Sequence, residues 1–266
     1  MAVELQRIAA NGVEFGYFRF GQGDRKLVVI PGLSVKSVLD FKDSVTVALK
    51  TFGKVFEVYV FDRRENLPNE YTIEDMAKDF ITAFDALGLD KISLYGISQG
   101  GMIALNIAIL RPDMISAMVI GSSAARLSEY TQKTIGEWNK LARNKDEDTL
   151  LEAFGSKVYT KEFYERFKDI IINSVKGVTD EEFNRLVILT DNINDFDVYD
   201  RLTDIRCPVL VMGGSEDQVT GIDSSREIAE KLNCEIVVYE GYGHAVYDEN
   251  EEFKAKAKEF LLKSLI

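Results

Sequence analysis

The stretch Lys91-Ile92-Ser93-Leu94-Tyr95-Gly96-Ile97-Ser98-Gln99-Gly100-Gly101 decides how this chain folds. Lys91 to Gly96 reads as an apolar strand, and Gln99 to Leu110 as a helix. A serine held between Gly96 and Gly100 at such a junction has the pattern of a nucleophile elbow. The two glycines have a physical task, because the serine backbone in this turn is strained and leaves no room for side chains beside it. Ser98 would then stand above the sheet at a helix N-terminus, whose dipole favours a developing negative charge.

Upstream of the elbow, Val3 to Ile8 and Val13 to Phe20 read as strands joined at Asn11-Gly12, a hairpin signal. Leu27 to Ile30 is a short apolar run that suits a strand buried on both faces, and Val55 to Phe61 is another strand. Thr72 with Asp75 marks a helix start, and Ile73, Met76, Phe80, Phe84 and Leu87 follow at helical spacing. Downstream, Ile115 to Ile120 is a strand. Helical patterns alone then run from 125 to 204, before strands at Val209 to Met212 and Cys234 to Tyr239 with helices at Ser224 to Leu232 and Glu251 to Leu262. Alternating strands and helices predict a mostly parallel sheet covered on both faces. The expected division is a core of 1–124 and 205–266 with an all-helical cap, 125–204, over the C-terminal edge of the sheet. That edge is where open α/β sheets bind ligands.

A serine hydroxyl needs an adjacent base, and histidine suits that task at neutral pH. His244, in Gly-Tyr-Gly-His-Ala, is the only histidine in 266 residues, so it is the only candidate of its kind. A third group should follow a later strand and orient the ring. Asp217, after the run ending at Gly214, is the choice, with Glu216 as the alternative. The order Ser, Asp, His is the one found in α/β-hydrolases and differs from other serine hydrolases. An oxyanion hole needs two N–H donors. Gln99 supplies one, and Leu33 in the loop after Ile30 the other, since Pro31 has none. Ser34 could add a hydroxyl or cap the next helix.

The formal charge of −12 argues against a nucleic-acid partner, whose phosphates need a basic surface, and weakly against an anionic membrane. No apolar run approaches the ~18–20 residues of a membrane span. Met1 to Asn11 has no apolar signal core, so a cytoplasmic location is expected. One histidine with Cys207 and Cys234 makes a zinc site improbable. No phosphate-binding glycine loop occurs, so no cofactor is expected. The expected partner is a small-molecule substrate, and the oligomeric state stays open. Cys207 and Cys234 each begin a strand and are expected near one another, reduced.

The elbow Gly-Ile-Ser-Gln-Gly-Gly, the segment Phe61-Asp62-Arg63-Arg64, the run Leu202 to Gly214 with Asp217, and Gly243-His244 together resemble the α/β-hydrolase superfamily. The resemblance covers nearly the whole chain outside the cap. It departs from the family at Pro31, where many members have His before Gly, and at Glu65, where many have a glycine soon after Asp-Arg. It implies hydrolysis through an acyl-enzyme, most often of esters, and a serine nucleophile disfavours the branches that use aspartate. Thioester, lactone, amide and carbon–carbon substrates remain open. A ligand receptor on a retained hydrolase scaffold is the competing expectation. The cap is aromatic, with Trp138, Phe154, Phe163, Tyr164 and Phe167. Residues between Leu127 and Val187 are expected to close the pocket, with Trp138 or an aromatic of the Phe154–Phe167 region on its wall.

Overall fold

A computed structural model describes residues 3–264. Its eight strands are β1 (Leu5–Ala10), β2 (Val13–Phe20), β3 (Arg25–Ile30), β4 (Phe56–Phe61), β5 (Ile92–Ile97), β6 (Ile115–Gly121), β7 (Val209–Gly214) and β8 (Glu235–Tyr239). They form one sheet in the order β1-β2-β4-β3-β5-β6-β7-β8. β1 and β2 pair antiparallel, as do β2 and β4, and every other pair is parallel. The β1–β2 hairpin turns at Asn11 and Gly12, both with positive φ, which matches the twist of the strands they join.

Alternation along the central strands builds two cores. Val28 and Ile30 face one side of the sheet, while Leu27 and Val29 face the other. The first side is covered by α2 (Ile73–Leu87), α3 (Gln99–Leu110) and α8 (Ile222–Leu232), and the second by α1 (Lys42–Ala48) and α10 (Glu251–Lys263). β5 is covered on both faces and buried at every position, and all of its residues but Ser93 are apolar, aromatic or glycine. α2 starts on a capping box made by Thr72 and Asp75 and ends at Gly88 in the left-handed region. α3 is buried from Gln99 to Ile109, so it shows no polar face.

Between β6 and β7 lie four helices, α4 (Glu129–Arg143), α5 (Glu147–Val158), α6 (Lys161–Val175) and α7 (Asp180–Asp191). α4 packs on both α5 and α7, and α5 on α6. The insertion leaves and re-enters the core at one place. Arg126 bridges Asp197 in antiparallel fashion, and the Val198 N–H donates to the Ala125 carbonyl. The 3-10 turn Tyr199–Asp204 packs on α8 and α3. The short α9 (Val246–Glu249) follows β8.

The β7–β8 register pairs Leu210 with Glu235, so Cys234 lies at the level of residue 209, two positions beyond Cys207. Both thiols are free, and burial pushes them up, Cys207 to about 12 and Cys234 to about 11. No helix among the described residues is long and apolar enough to cross a membrane.

Candidate active site

Ser98 follows the C-terminal end of β5 with φ 53° and ψ −123°, a conformation that costs energy for any residue with a Cβ. Its neighbours hold it there. The Ser98 N–H donates to the Gly121 carbonyl at 2.9 Å, and the Ser98 carbonyl accepts from the Gly101 N–H and the Ser123 hydroxyl. A Cβ on Gly100 would stand 2.0 Å from the Ile30 carbonyl oxygen, so the turn can pass this close to β3 only without a side chain.

Asp217 and His244 reach the same end of the sheet on the loops that follow β7 and β8. Those loops are fastened together, since the Glu216 N–H donates to the Tyr242 carbonyl at 2.9 Å. A Cβ on Gly214 would meet that same carbonyl oxygen at 2.2 Å. His244 Nδ1 lies 2.8 Å from Asp217 Oδ2, with both side chains buried. Asp217 also accepts from the Val219 and Thr220 N–H groups and the Thr220 hydroxyl. Burial alone would raise the Asp217 carboxyl. The His244 ring and these donors outweigh burial and bring it down to about 2. A carboxylate here fixes the ring with its proton on Nδ1, leaving the Nε2 lone pair free to take a hydroxyl proton. Glu216, the alternative acid, is exposed and holds no such contact.

The loop after β3 is held by a charged cluster. Arg63 donates to the Gly32 carbonyl at 3.1 Å and to Gln99 Oε1 at 2.7 Å. Arg185, from α7 in the cap, donates to the Ser34 carbonyl at 3.3 Å and to Asp62 at 2.6 Å. Leu33 therefore sits between two carbonyls that are each tied to a guanidinium. Gln99 continues the cluster into the cap by donating to the Leu189 carbonyl. Burial pulls Arg63 down to about 10 despite the pull of Asp62 in the other direction. Asp62 is held below the ordinary carboxylate range: burial opposes this, and Arg185, Arg63 and the Ser37 hydroxyl overcome it. Neither the Gln99 nor the Leu33 N–H donates to a backbone acceptor among the described residues. Two such donors beside Ser98 can receive an oxyanion. Ser34 turns its hydroxyl onto the Lys36 carbonyl, and Ser37 caps the following turn.

A cavity of about 360 Å³ opens beside this loop. Pro31 to Lys36 form one wall, and α5 and α6 supply Leu151, Phe154, Val158, Ile171, Ile172 and Val175. Ser98 and His244 do not line it. Gly32 stands between, because a Cβ there would lie 3.1 Å from Ser98 Cβ and 3.7 Å from its Oγ. Leu33 and Ser34 thus lie on the cavity wall, whereas Trp138 and Phe163, expected there, do not. Trp138 is buried behind the wall with its ring 4.4 Å from that of Phe154. Phe163 stacks on Tyr159, meets Phe167 at a tilt and borders an outer groove with Arg166 and Tyr242. Helical spacing showed that both face other apolar groups and could not show which. Two further residues, Arg63 and Arg185, hold the loop through contacts that only the fold creates. Charges directly after the apolar β4 were a signal for the first, and an arginine in a charged helix gave none for the second. Among the described residues, no three His, Cys, Asp or Glu side chains gather as a metal site.

A family model described as the alpha/beta hydrolase fold matches residues 27–251. A RutD protein of Pseudomonas savastanoi pv. phaseolicola, named for carbamate hydrolysis, is 27% identical over 68% of this chain and 71% of its own. The human serine hydrolase BPHL is 26% identical over 81% of this chain and 71% of its own. Among solved structures, MGS-M2, an alpha/beta hydrolase enzyme from a Medee basin deep-sea metagenome library, superposes with a TM-score of 0.86 at 23% identity. It covers 96% of this chain and 97% of its own.

Proposed function

Because this chain belongs to the α/β-hydrolase fold family, we propose that it cleaves a small or medium carboxylic ester through an acyl-enzyme on Ser98. The observation that carries this reading is the buried 2.8 Å contact of His244 Nδ1 with Asp217, at the sheet edge where Ser98 holds its strained turn. The hydrolase names of the relatives support it at the level of reaction type.

In the proposed reaction, Ser98 Oγ bonds to the carbonyl carbon while its proton passes to His244 Nε2. The carbonyl oxygen becomes an oxyanion received by the Gln99 and Leu33 N–H groups. Asp217 stays ionised and stabilises the imidazolium. Collapse breaks the bond to the alcohol oxygen, which takes the proton from His244 and leaves. Water then repeats the sequence on the acyl-enzyme, giving up its proton to His244 and releasing the acid with Ser98 restored. The apolar cavity beside Leu33 is suited to hold the acyl or alcohol chain.

Fluorophosphonate labelling with mass-spectrometric mapping, alongside turnover of a 4-nitrophenyl ester, tests the assignment. Label on Ser98 and turnover abolished by the same treatment are expected. Tight binding of esters with neither label nor turnover would instead favour a receptor on this scaffold.

A further inference from the structure

We infer that the cavity beside the Ser98 loop accepts a substrate whose far end carries a positive charge, and that Asp248 is the residue that receives it. The inference rests on the ester-hydrolase reading, because it assigns a substrate class to the same site.

The cavity lining is mostly aliphatic and aromatic, and Asp248 is its one carboxylate. The neighbouring acid shows what a structural role looks like at this point in the chain. Glu249 accepts from both the N–H and the hydroxyl of Thr160 and so fixes the start of α6. Asp248 accepts no hydrogen bond and forms no ion pair with any side chain among the described residues. Asp248 is exposed, yet protein surrounds it closely enough that loss of water drives its carboxyl up to about 6. Tyr247 and Asp248 border the cavity, so this carboxylate is within reach of a molecule held there.

The surrounding charges leave Asp248 without a partner. Lys254 on α10 pulls its carboxyl down, but that ammonium donates to Glu251 at 3.4 Å. Glu249 and Glu251 add negative charge. Lys36, the cationic residue of the lining, donates to the Gly177 carbonyl and stands 3.9 Å from Glu182, so the cap engages it. The hydroxyls of Tyr95, Tyr159 and Tyr247 are the remaining polar neighbours, and none carries positive charge. A carboxylate that has no partner and is partly stripped of water attracts a cation more strongly than one in bulk water does. The apolar walls would hold the chain, Ser98 the scissile carbonyl and Asp248 the charged end.

The test compares two 4-nitrophenyl ester series on the intact protein. One series ends in a trimethylammonium group, and the other in the tert-butyl group of the same shape. At its best chain length, the cationic ester should have the higher kcat/KM by about tenfold or more, mainly through KM. Asp248→Asn keeps the shape and removes the charge, so it should bring the ratio to within about twofold. Asp248→Leu should reverse the preference. Equal kcat/KM for the two series in the wild type, or an unchanged ratio in Asp248→Asn, overturns the inference and leaves the hydrolase reading standing. A thermal-shift arm with butyltrimethylammonium separates the two ideas. A shift in the wild type that Asp248→Asn lacks supports the cation site even when no ester turns over. No shift in a protein that fluorophosphonate labels at Ser98 overturns it.

Discussion

Replacing Arg185 by methionine tests how the cap is fastened to the loop beside Ser98. In the wild type its guanidinium meets Asp62 at 2.6 Å and the Ser34 carbonyl at 3.3 Å. The Asp62 side chain is 5% exposed and that of Arg185 18%, so the orphaned carboxylate bears most of the loss. Breaking a fully buried pair costs about 3–5 kcal/mol. Asp62 keeps the Arg63 N–H, the Ser37 hydroxyl and the Arg63 guanidinium at 3.7 Å, and Arg185 was never fully removed from water. The expected loss is therefore nearer ~2–3 kcal/mol, of which the Ser34 bond supplies ~0.5–1 kcal/mol. The pH dependence has a definite sign. Arg185 helps to hold the Asp62 carboxyl below its ordinary range. A depressed carboxyl stabilises the fold above its unfolded pKa and loses that contribution as pH falls through the folded one. The gap between wild type and Arg185→Met should be full at neutral pH and shrink as pH drops below about 4. Urea unfolding at several pH values measures this, with Asp62→Asn completing a double-mutant cycle. A neutral-pH loss under about 0.5 kcal/mol, or a gap that persists unchanged in acid, refutes the reasoning.

Four other outcomes are expected. Ser98→Ala and His244→Ala should each lower kcat by about 10⁴–10⁶-fold and the double variant little further, and near-normal turnover in either single variant ends the triad assignment. Asp217→Asn should lower kcat by about 10⁴-fold. Because its carboxyl is brought down to about 2, wild-type stability should fall between about pH 4 and 2 by an amount that the variant does not lose, and parallel urea midpoints report it. Gly100→Ala sets a Cβ against the backbone of Ile30 and Pro31, so a loss of at least about 3 kcal/mol is expected, and an unchanged melting temperature would contradict the close approach. Trp138→Ala should cost about 3–5 kcal/mol and leave substrate ranking flat, whereas Phe154→Ala, on the cavity wall, should shift kcat/KM across a chain-length series by about 1–3 kcal/mol per methylene-sized change. The reverse pattern would show that Trp138 lines the site after all.

The parts of the molecule that were legible in sequence share a cause. Leu27 to Ile30 and Ile92 to Ile97 are covered on both faces, so apolar residues run along them with Ser93 the one polar interruption. The loops after the central strands carry polar residues against that background, so Ser98, Asp217 and His244 stand out in sequence as candidates. Strand ends were less distinct: the first strand runs over Leu5–Ala10, two residues later than its apolar pattern suggested, because an edge strand alternates and has no sharp limit. Within the cap, Trp138 and Phe163 have the spacing of a buried helix face, but spacing does not say whether that face meets a neighbouring helix, a groove or a cavity. Arg185 and Asp248 were invisible for a plainer reason. Each lies among other charged residues on a helix, and only the fold brings one to Asp62 and the other to the cavity.

The bridge from Arg126 to Asp197 sets the two ends of the insertion side by side. Opposed residues of an antiparallel bridge have Cα atoms about 4.5–5.5 Å apart, a span that a tight turn can close. The sheet and its flanking helices therefore pay the same small closure entropy whatever is spliced in at this point. Evolution or an engineer can exchange the whole roof as one cassette, or trim it to a hairpin, without re-registering any strand. What such a graft must still bring is a cation in the place of Arg185, because that side chain ties the removable part both to Asp62 and to the loop beside Ser98.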